Sequence, residues 1–155
     1  MMTEARDLVA TLTRRGETVA AAESLTAGLV CATLAQVPGA SAVLRGGLVV
    51  YATELKAVLA GVDEQVLAEH GAVHPEVAAQ LARGARERCG ATWGLGLTGV
   101  AGPDPQDGAA PGTVYVGLSG PGVDTVRELA ETGDRDTIRT ASVRAAFALL
   151  GEQLD

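Results

Sequence analysis

The chain has 155 residues, 47% hydrophobic and only 3% aromatic, with 12 basic against 19 acidic side chains and a formal charge of −7. That is the length of one domain, expected over 1–155, with a core of Ala, Leu and Val. The acidic balance argues against a nucleic-acid surface, which needs clustered positive charge, while leaving room for one local basic pocket for a small anion. No apolar run approaches the roughly twenty residues that cross a bilayer, and Glu4, Arg6 and Asp7 interrupt any secretory leader, so a cytoplasmic protein without membrane contact is expected.

Leu8, Val9 and Leu12 recur with Ala5 at helical spacing, which predicts a helix from Thr3, the expected cap, to Arg15, stopped by Gly16. Thr18 to Ala22 is short and apolar, a buried strand. Leu25 to Leu34 is a run of helix formers with Leu25, Leu29 and Ala32 as its stripe, and Val37-Pro38-Gly39 ends it. Leu48 to Tyr51 is a second strand, preceded by Gly46 and Gly47, which suggest a bulge or a close backbone approach. Thr53 is expected to cap a short helix ended by Gly61. Asp63 is expected to cap another, broken by Gly71. His74-Pro75-Glu76 opens a longer helix to about Cys89, with proline in its first turn and Gly90 as its stop.

Trp93 to Thr98 is a strand whose two glycines imply close neighbours. Gly99 to Gly112 is a loop of fourteen residues with four glycines and three prolines, and long ordered loops usually carry function. Thr113 to Leu118 and Asp124 to Ala130 form a hairpin closed at Gly120-Pro121-Gly122. Asp136 is expected to cap a last helix to about Leu154, with Ile138, Ala141, Ala145 and Leu149 as its stripe. Helices interleaved with apolar strands, plus a hairpin, predict an α/β domain with helices on both faces of a mixed sheet.

Several chemistries lack their motif. There is no phosphate-binding GxxxxGK[ST], no GxGxxG after a strand and no GxSxG elbow. Cys31 and Cys89 are not spaced as a redox or metal pair and read as buried free thiols. His70 and His74 are separated by Gly71 and adjoin Pro75, which argues against a shared metal-binding face. Asp104 and Asp107, in a Gly/Pro loop, read as solvated rather than cation-holding.

Ser24 stands at a strand-to-helix junction. Such a serine either caps the helix or faces a substrate beside the free N–H groups of Thr26 and its neighbours, with Gly28 admitting a close approach. With no well-placed histidine, its activator would be a neutral lysine. Lys56 is the only lysine; the other eleven basic residues are arginines, which stay charged at neutral pH. Tyr51 closes the strand before Lys56 and can relay a proton or simply pack. Thr98 and the N–H groups from Gly99 to Gly102 end a strand, where ligands of layered α/β folds bind. Arg135 and Arg139 can clamp a phosphate or be solvated helix residues.

The segments AESLTAG (22–28), VPGAS (37–41), RGGLVVY (45–51), LKAVLAGV (55–62), GAV (71–73), TGVAGP (98–103), PGTVYVG (111–117) and GDRDTIR (133–139) occur in order through nearly the whole chain. Together they resemble the C-terminal domain family of competence/damage-inducible protein A, the CinA-type nicotinamide-nucleotide amidohydrolases. The resemblance implies a three-layer α/β/α sandwich that deamidates nicotinamide mononucleotide to nicotinate mononucleotide and ammonia, without metal or other cofactor. It implies Ser24 as nucleophile, Lys56 as general base and Tyr51 as assistant, with Thr98, the Gly99–Gly102 loop and Arg139 binding the pyridine mononucleotide; Thr26, Gly28 and Arg135 complete the expected binding set. Leu25-Thr26-Ala27-Gly28 stands where the family commonly has Cys-Thr-Gly-Gly, and Ala52 where a small polar residue is usual. Some relatives carry a further nucleotide pyrophosphatase domain, whose activity the resemblance does not transfer. A non-catalytic domain that binds a nucleotide or a regulatory protein is the alternative, and a homo-oligomer is left open.

Overall fold

A computed structural model describes residues 1–155, in the order α1 (Met2–Arg15), β1 (Val19–Glu23), α2 (Leu29–Ala35), β2 (Leu44–Val49), α3 (Thr53–Ala60), α4 (Glu64–His70), α5 (Pro75–Cys89), β3 (Trp93–Gly99), β4 (Thr113–Gly120), β5 (Val123–Ala130) and α6 (Arg135–Leu154). The strands form one sheet in the order β2-β1-β3-β4-β5. β1 pairs in parallel with β2 and β3, whereas β3, β4 and β5 run antiparallel, so the sheet is mixed.

The two faces follow from the period of two along a strand. Val19 and Ala21 of β1 join Leu95 and Leu97 of β3 in a core covered by α1, α2 and α6. Ala20 and Ala22 face the other way, into a smaller core with Ala60 of α3 and Val77, Leu81 and Ala85 of α5. That is a three-layer α/β/α sandwich. The glycines of β3 make the second interface thin: a Cβ on Gly96 would lie 2.5 Å from the Ala78 carbonyl, so only glycine lets α5 settle on the strand. The chain leaves β1 for β2 through α2 on one face and returns to β3 through α3, α4 and α5 on the other. The C-terminal ends of β1 and β3 therefore border a switch point, the usual ligand crevice of such sheets.

The expected elements are all present, with shifted ends. The second helix starts at Leu29, not Leu25, because Ala27 and Gly28 take positive φ (48° and 99°), which an α-helix cannot include. β2 runs from Leu44 to Val49 rather than from Leu48 to Tyr51, its register against β1 shifts at Arg45, just before the glycine pair, and a Cβ on Gly47 would collide with Cys31 Sγ, the close approach that pair also suggested. Thr3 lies inside α1, Ala52 rather than Thr53 holds the cap position of α3, and Asp134 rather than Asp136 caps α6 by accepting the Thr137 N–H. Asp63 and His74 cap their helices as expected, with Pro75 in the first turn of α5. The cysteines are free but only half-buried. No helix is long and apolar enough to cross a membrane.

Candidate active site

Residue 24 continues the ladder of β1, since its N–H donates to the Leu97 carbonyl (3.0 Å). The alternation along β1 turns Glu23 to the α2 face and Ser24 to the face of α3 and α5. Glu23 is fully buried, and its carboxylate accepts the N–H groups of Val30 (2.8 Å) and Cys31 (3.2 Å). The helix start is thus capped from beneath by Glu23, not by Ser24, whose hydroxyl is left facing a cleft. Burial, together with the same carboxylate, pushes the Cys31 thiol up to about 12, so Cys31 is no nucleophile at neutral pH.

The cleft has a volume of about 400 Å³ and is walled by Ser24, Leu25, Tyr51, residues 99–106 and Arg135. Ser24 is 8% exposed and Tyr51 is 55% exposed. The N–H groups of Leu25 and Thr26, directly after the serine, make no hydrogen bond within the chain. Their carbonyls are held instead: Arg139 Nε donates to Leu25 O (2.8 Å) and Nη2 to Thr26 O (3.0 Å). Because Leu25 O and the Thr26 N–H belong to one planar peptide, fixing the first aims the second. Arg135 donates to Gly102 O (2.7 Å) and to the Tyr51 hydroxyl (2.7 Å), which joins two walls of the cleft.

Lys56 lies behind Tyr51 and does not line the cleft. It is 1% exposed, on the face that Ser24 shares. Its Nζ donates to the carbonyls of Val50 (2.8 Å) and Tyr51 (3.2 Å), and no carboxylate is within ion-pair distance. Desolvation lowers its pKa to about 8, against the opposing fields of Asp107 and Glu54. A neutral amine has two N–H donors and one lone pair. Two backbone carbonyls satisfy both donors, and the lone pair remains for a third partner. Val50 continues β2 beside the end of β1, its N–H donating to Glu23 O (2.9 Å), so the carbonyl that holds Nζ flanks Ser24.

Five of the anticipated residues thus meet at the cleft: Ser24, Tyr51, Gly99, Gly102 and Arg135. Four others stand behind it. Thr98 is buried and donates to Ala72 O (2.7 Å). Thr26 is fully buried with its Oγ1 unpaired. Gly28 provides the left-handed residue that starts α2, and Arg139, anticipated as a phosphate contact, has its guanidinium on the 25–26 turn. Sequence reasoning passed over Glu23 as a cap, although a carboxylate directly before the serine of a strand-to-helix junction was its signal. Leu25, expected only in a helix stripe, and Asp104, expected only as a solvated loop residue, both stand in the cleft wall. His70 and His74 do come together, with stacked rings 4.0 Å apart, but no three His, Cys, Asp or Glu side chains converge as metal ligands.

Comparison with known proteins agrees with this architecture. The family model of the CinA C-terminal domain matches residues 2–154. A CinA-like protein of Frankia casuarinae is 50% identical over 143 residues, and one of an Anaeromyxobacter species 49% over 144. These cover 92% of this chain but only 33% and 35% of the relatives, so the chain spans about a third of their length. The crystal structure of competence/damage inducible protein CihA from Agrobacterium tumefaciens superposes with a TM-score of 0.94 at 32% identity, over 97% of this chain and 93% of that one. A CinA superfamily protein from Klebsiella pneumoniae gives 0.94 at 29% identity, over 99% and 96%.

Proposed function

The chain belongs to the family of the CinA C-terminal domain, and on that premise we propose that it hydrolyses the carboxamide of nicotinamide mononucleotide to nicotinate mononucleotide and ammonia. The observation that carries the reading is the single lysine of the chain, buried without a carboxylate partner, with its pKa lowered to about 8 and its two amine protons on the Val50 and Tyr51 carbonyls. A lysine buried without a counter-charge costs stability, and its lowered pKa suits it to act as a base.

In this reading neutral Lys56 takes the Ser24 proton as Oγ attacks the carboxamide carbon. The oxyanion that forms is received by the free N–H of Leu25, which lines the cleft directly after Ser24. Collapse breaks the C–N bond, and the Lys56 ammonium returns its proton to the leaving ammonia. Water then attacks the Ser24 ester with Lys56 again as base, which releases nicotinate mononucleotide and restores the hydroxyl. Tyr51, its hydroxyl fixed by Arg135, assists at the cleft edge, and Arg135 is the guanidinium placed to receive the phosphate. Gly99 and Gly102 bring backbone against the substrate, while Thr26, Gly28 and Thr98 hold the walls.

The test is ammonia release from nicotinamide mononucleotide, with nicotinate mononucleotide identified as co-product and Ser24→Ala as control. Turnover by the wild type and its loss in the variant are expected. Ligand binding with no ammonia between pH 6 and 10 would instead make the chain a binding domain and overturn the amidase reading.

A further inference from the structure

The loop that forms one wall of the cleft is exposed from Pro103 to Gly108, yet the cleft depends on its position. Its tip is a tight turn: Gln106 and Ala109 exchange backbone hydrogen bonds (3.1 and 2.8 Å), and Asp107 and Gly108 between them both have positive φ (50° and 77°). Asp-Gly with two positive φ values is the sequence of a type I′ turn. Between Pro103 and Ala110 only one side chain hydrogen-bonds to the rest of the fold. It is Asp107, whose Oδ2 accepts the Ala72 N–H at 3.0 Å. The carbonyl of the same Ala72 accepts Thr98 Oγ1 at the end of β3. Gly71 clears the space, since a Cβ there would lie 2.9 Å from Asp107 Cγ.

We propose that Asp107 is a positioning residue of the site, which latches the cleft-lining loop to the α4–α5 turn through the Ala72 N–H. Ala72 is then gripped on both sides, by the loop tip and by the strand end that carries Gly99 into the cleft. The carboxylate has a second consequence. Its field acts on Lys56 from outside that residue's own helix and holds up a pKa that desolvation lowers. The other charged group acting on Lys56 is Glu54 of α3; the end of β2 and Tyr51 meet its Nζ with carbonyls only. Glu23 faces α2, and Arg135 lies on the far side of Tyr51. His70 and His74 flank the turn, and burial with the neighbouring ring keeps His74 below its ordinary value, so it adds no charge near pH 8. A latch that is also a charge couples loop closure to the protonation state of the base.

The kinetic part rests on the amidase reading above, but the decisive measurement does not. The chain has one lysine, so protein grown with [ε-13C]lysine gives a single side-chain resonance whose midpoint reports Lys56 alone. Asp107→Asn keeps an acceptor for Ala72 and tolerates positive φ while removing the charge. Its Lys56 midpoint is expected below that of the wild type by about 0.5 unit, with Ala72 amide protection retained. Asp107→Gly keeps the turn and removes the latch. Hydrogen exchange at Ala72 is expected to speed by at least about tenfold, with α5 unchanged, and KM for nicotinamide mononucleotide to rise about fivefold or more. An unmoved Lys56 midpoint in Asp107→Asn, unchanged Ala72 exchange in Asp107→Gly, or faster exchange throughout α5 would each overturn the proposal. If the wild type released no ammonia, the amidase reading would fail, and the two spectroscopic arms would still decide the role of Asp107.

Discussion

Replacing Lys56 by arginine keeps a positive charge and removes the base, so it separates the mechanism from electrostatics. With a pKa of about 8, roughly a tenth of the molecules carry a neutral Lys56 amine at pH 7; at the ordinary 10.5 the share would be about one in 3,000. Burial therefore raises the active form about 300-fold at that pH. The sign is fixed: protonation removes the base, so kcat/KM should climb about tenfold per pH unit below pH 8 and level off above it. Lys56→Arg should lower kcat by at least about a hundredfold at every pH from 6 to 10, because a guanidinium does not accept the Ser24 proton. The assay is ammonia release at nicotinamide mononucleotide well below KM for the kcat/KM profile and at saturation for kcat, with the fold checked by circular dichroism. A wild-type profile flat from pH 6 to 9, or an arginine variant with near-normal kcat, would refute the lysine as base even if deamidation itself were established.

The same shift enters stability. Between about pH 8 and 10.5 the unfolded chain holds the lysine proton and the folded one does not, so this group makes stability rise with pH across that window, by up to about 3 kcal/mol. Urea titrations at pH 7.5 and 10.5 should show that rise in the wild type and a smaller one in Lys56→Met; equal slopes would disprove it. Arg135→Ala should raise KM for the mononucleotide well above any effect on nicotinamide riboside, whereas Arg139→Ala should lower kcat for both, since Arg139 holds the 25–26 turn. Identical kinetic effects of the two arginine variants would defeat that division. Glu23→Gln removes a charged acceptor from two N–H groups of α2 and should cost about 1–3 kcal/mol, measured by urea unfolding, while the Cys31 thiol titrates below its value of about 12. An unchanged thiol titration would mean that the carboxylate does not act on Cys31.

Element order and type were legible because punctuation and periodicity agreed. Gly16, Gly61 and Gly90 are left-handed helix stops, and Asp63 and His74-Pro75 are starts. Helix starts were less legible where two similar residues compete. Asp134 and Asp136 are both plausible caps. The one that caps is the one whose carboxylate reaches an N–H three residues on, and the other falls in the first turn, where negative charge is also favourable. The lone lysine was visible as a composition signal. Its burial was not, because α3 also presents Leu55, Val58 and Leu59 to solvent and Lys56 to the interior, an inversion of the usual pattern that only the tertiary fold creates. The latch at Asp107 joins residues 35 apart in sequence and left no local trace beyond an Asp-Gly turn.

The positions around the serine show why sequence could find the site and still misassign its parts. A strand-to-helix junction needs a cap, and serine is a good one; a nucleophile at the same junction must not be consumed by capping. The chain resolves this by using successive residues of one strand, which necessarily point to opposite faces. Glu23 goes to the helix and Ser24 to the side of the base. Two turn residues with positive φ then delay the helix until Leu29, which leaves the N–H groups of Leu25 and Thr26 outside any helical ladder. Ala27, which differs from the common family glycine, is exposed in this turn and absent from the cleft wall, so its methyl does not narrow the site. It instead carries the strain of a left-handed alanine, about 1 kcal/mol. What the turn demands is therefore a backbone path, set by Gly28 behind it and by Arg139 on the Leu25 and Thr26 carbonyls; Leu25 and Thr26 are held in the interior, and Ala27 is the side chain between them that touches neither core nor cleft.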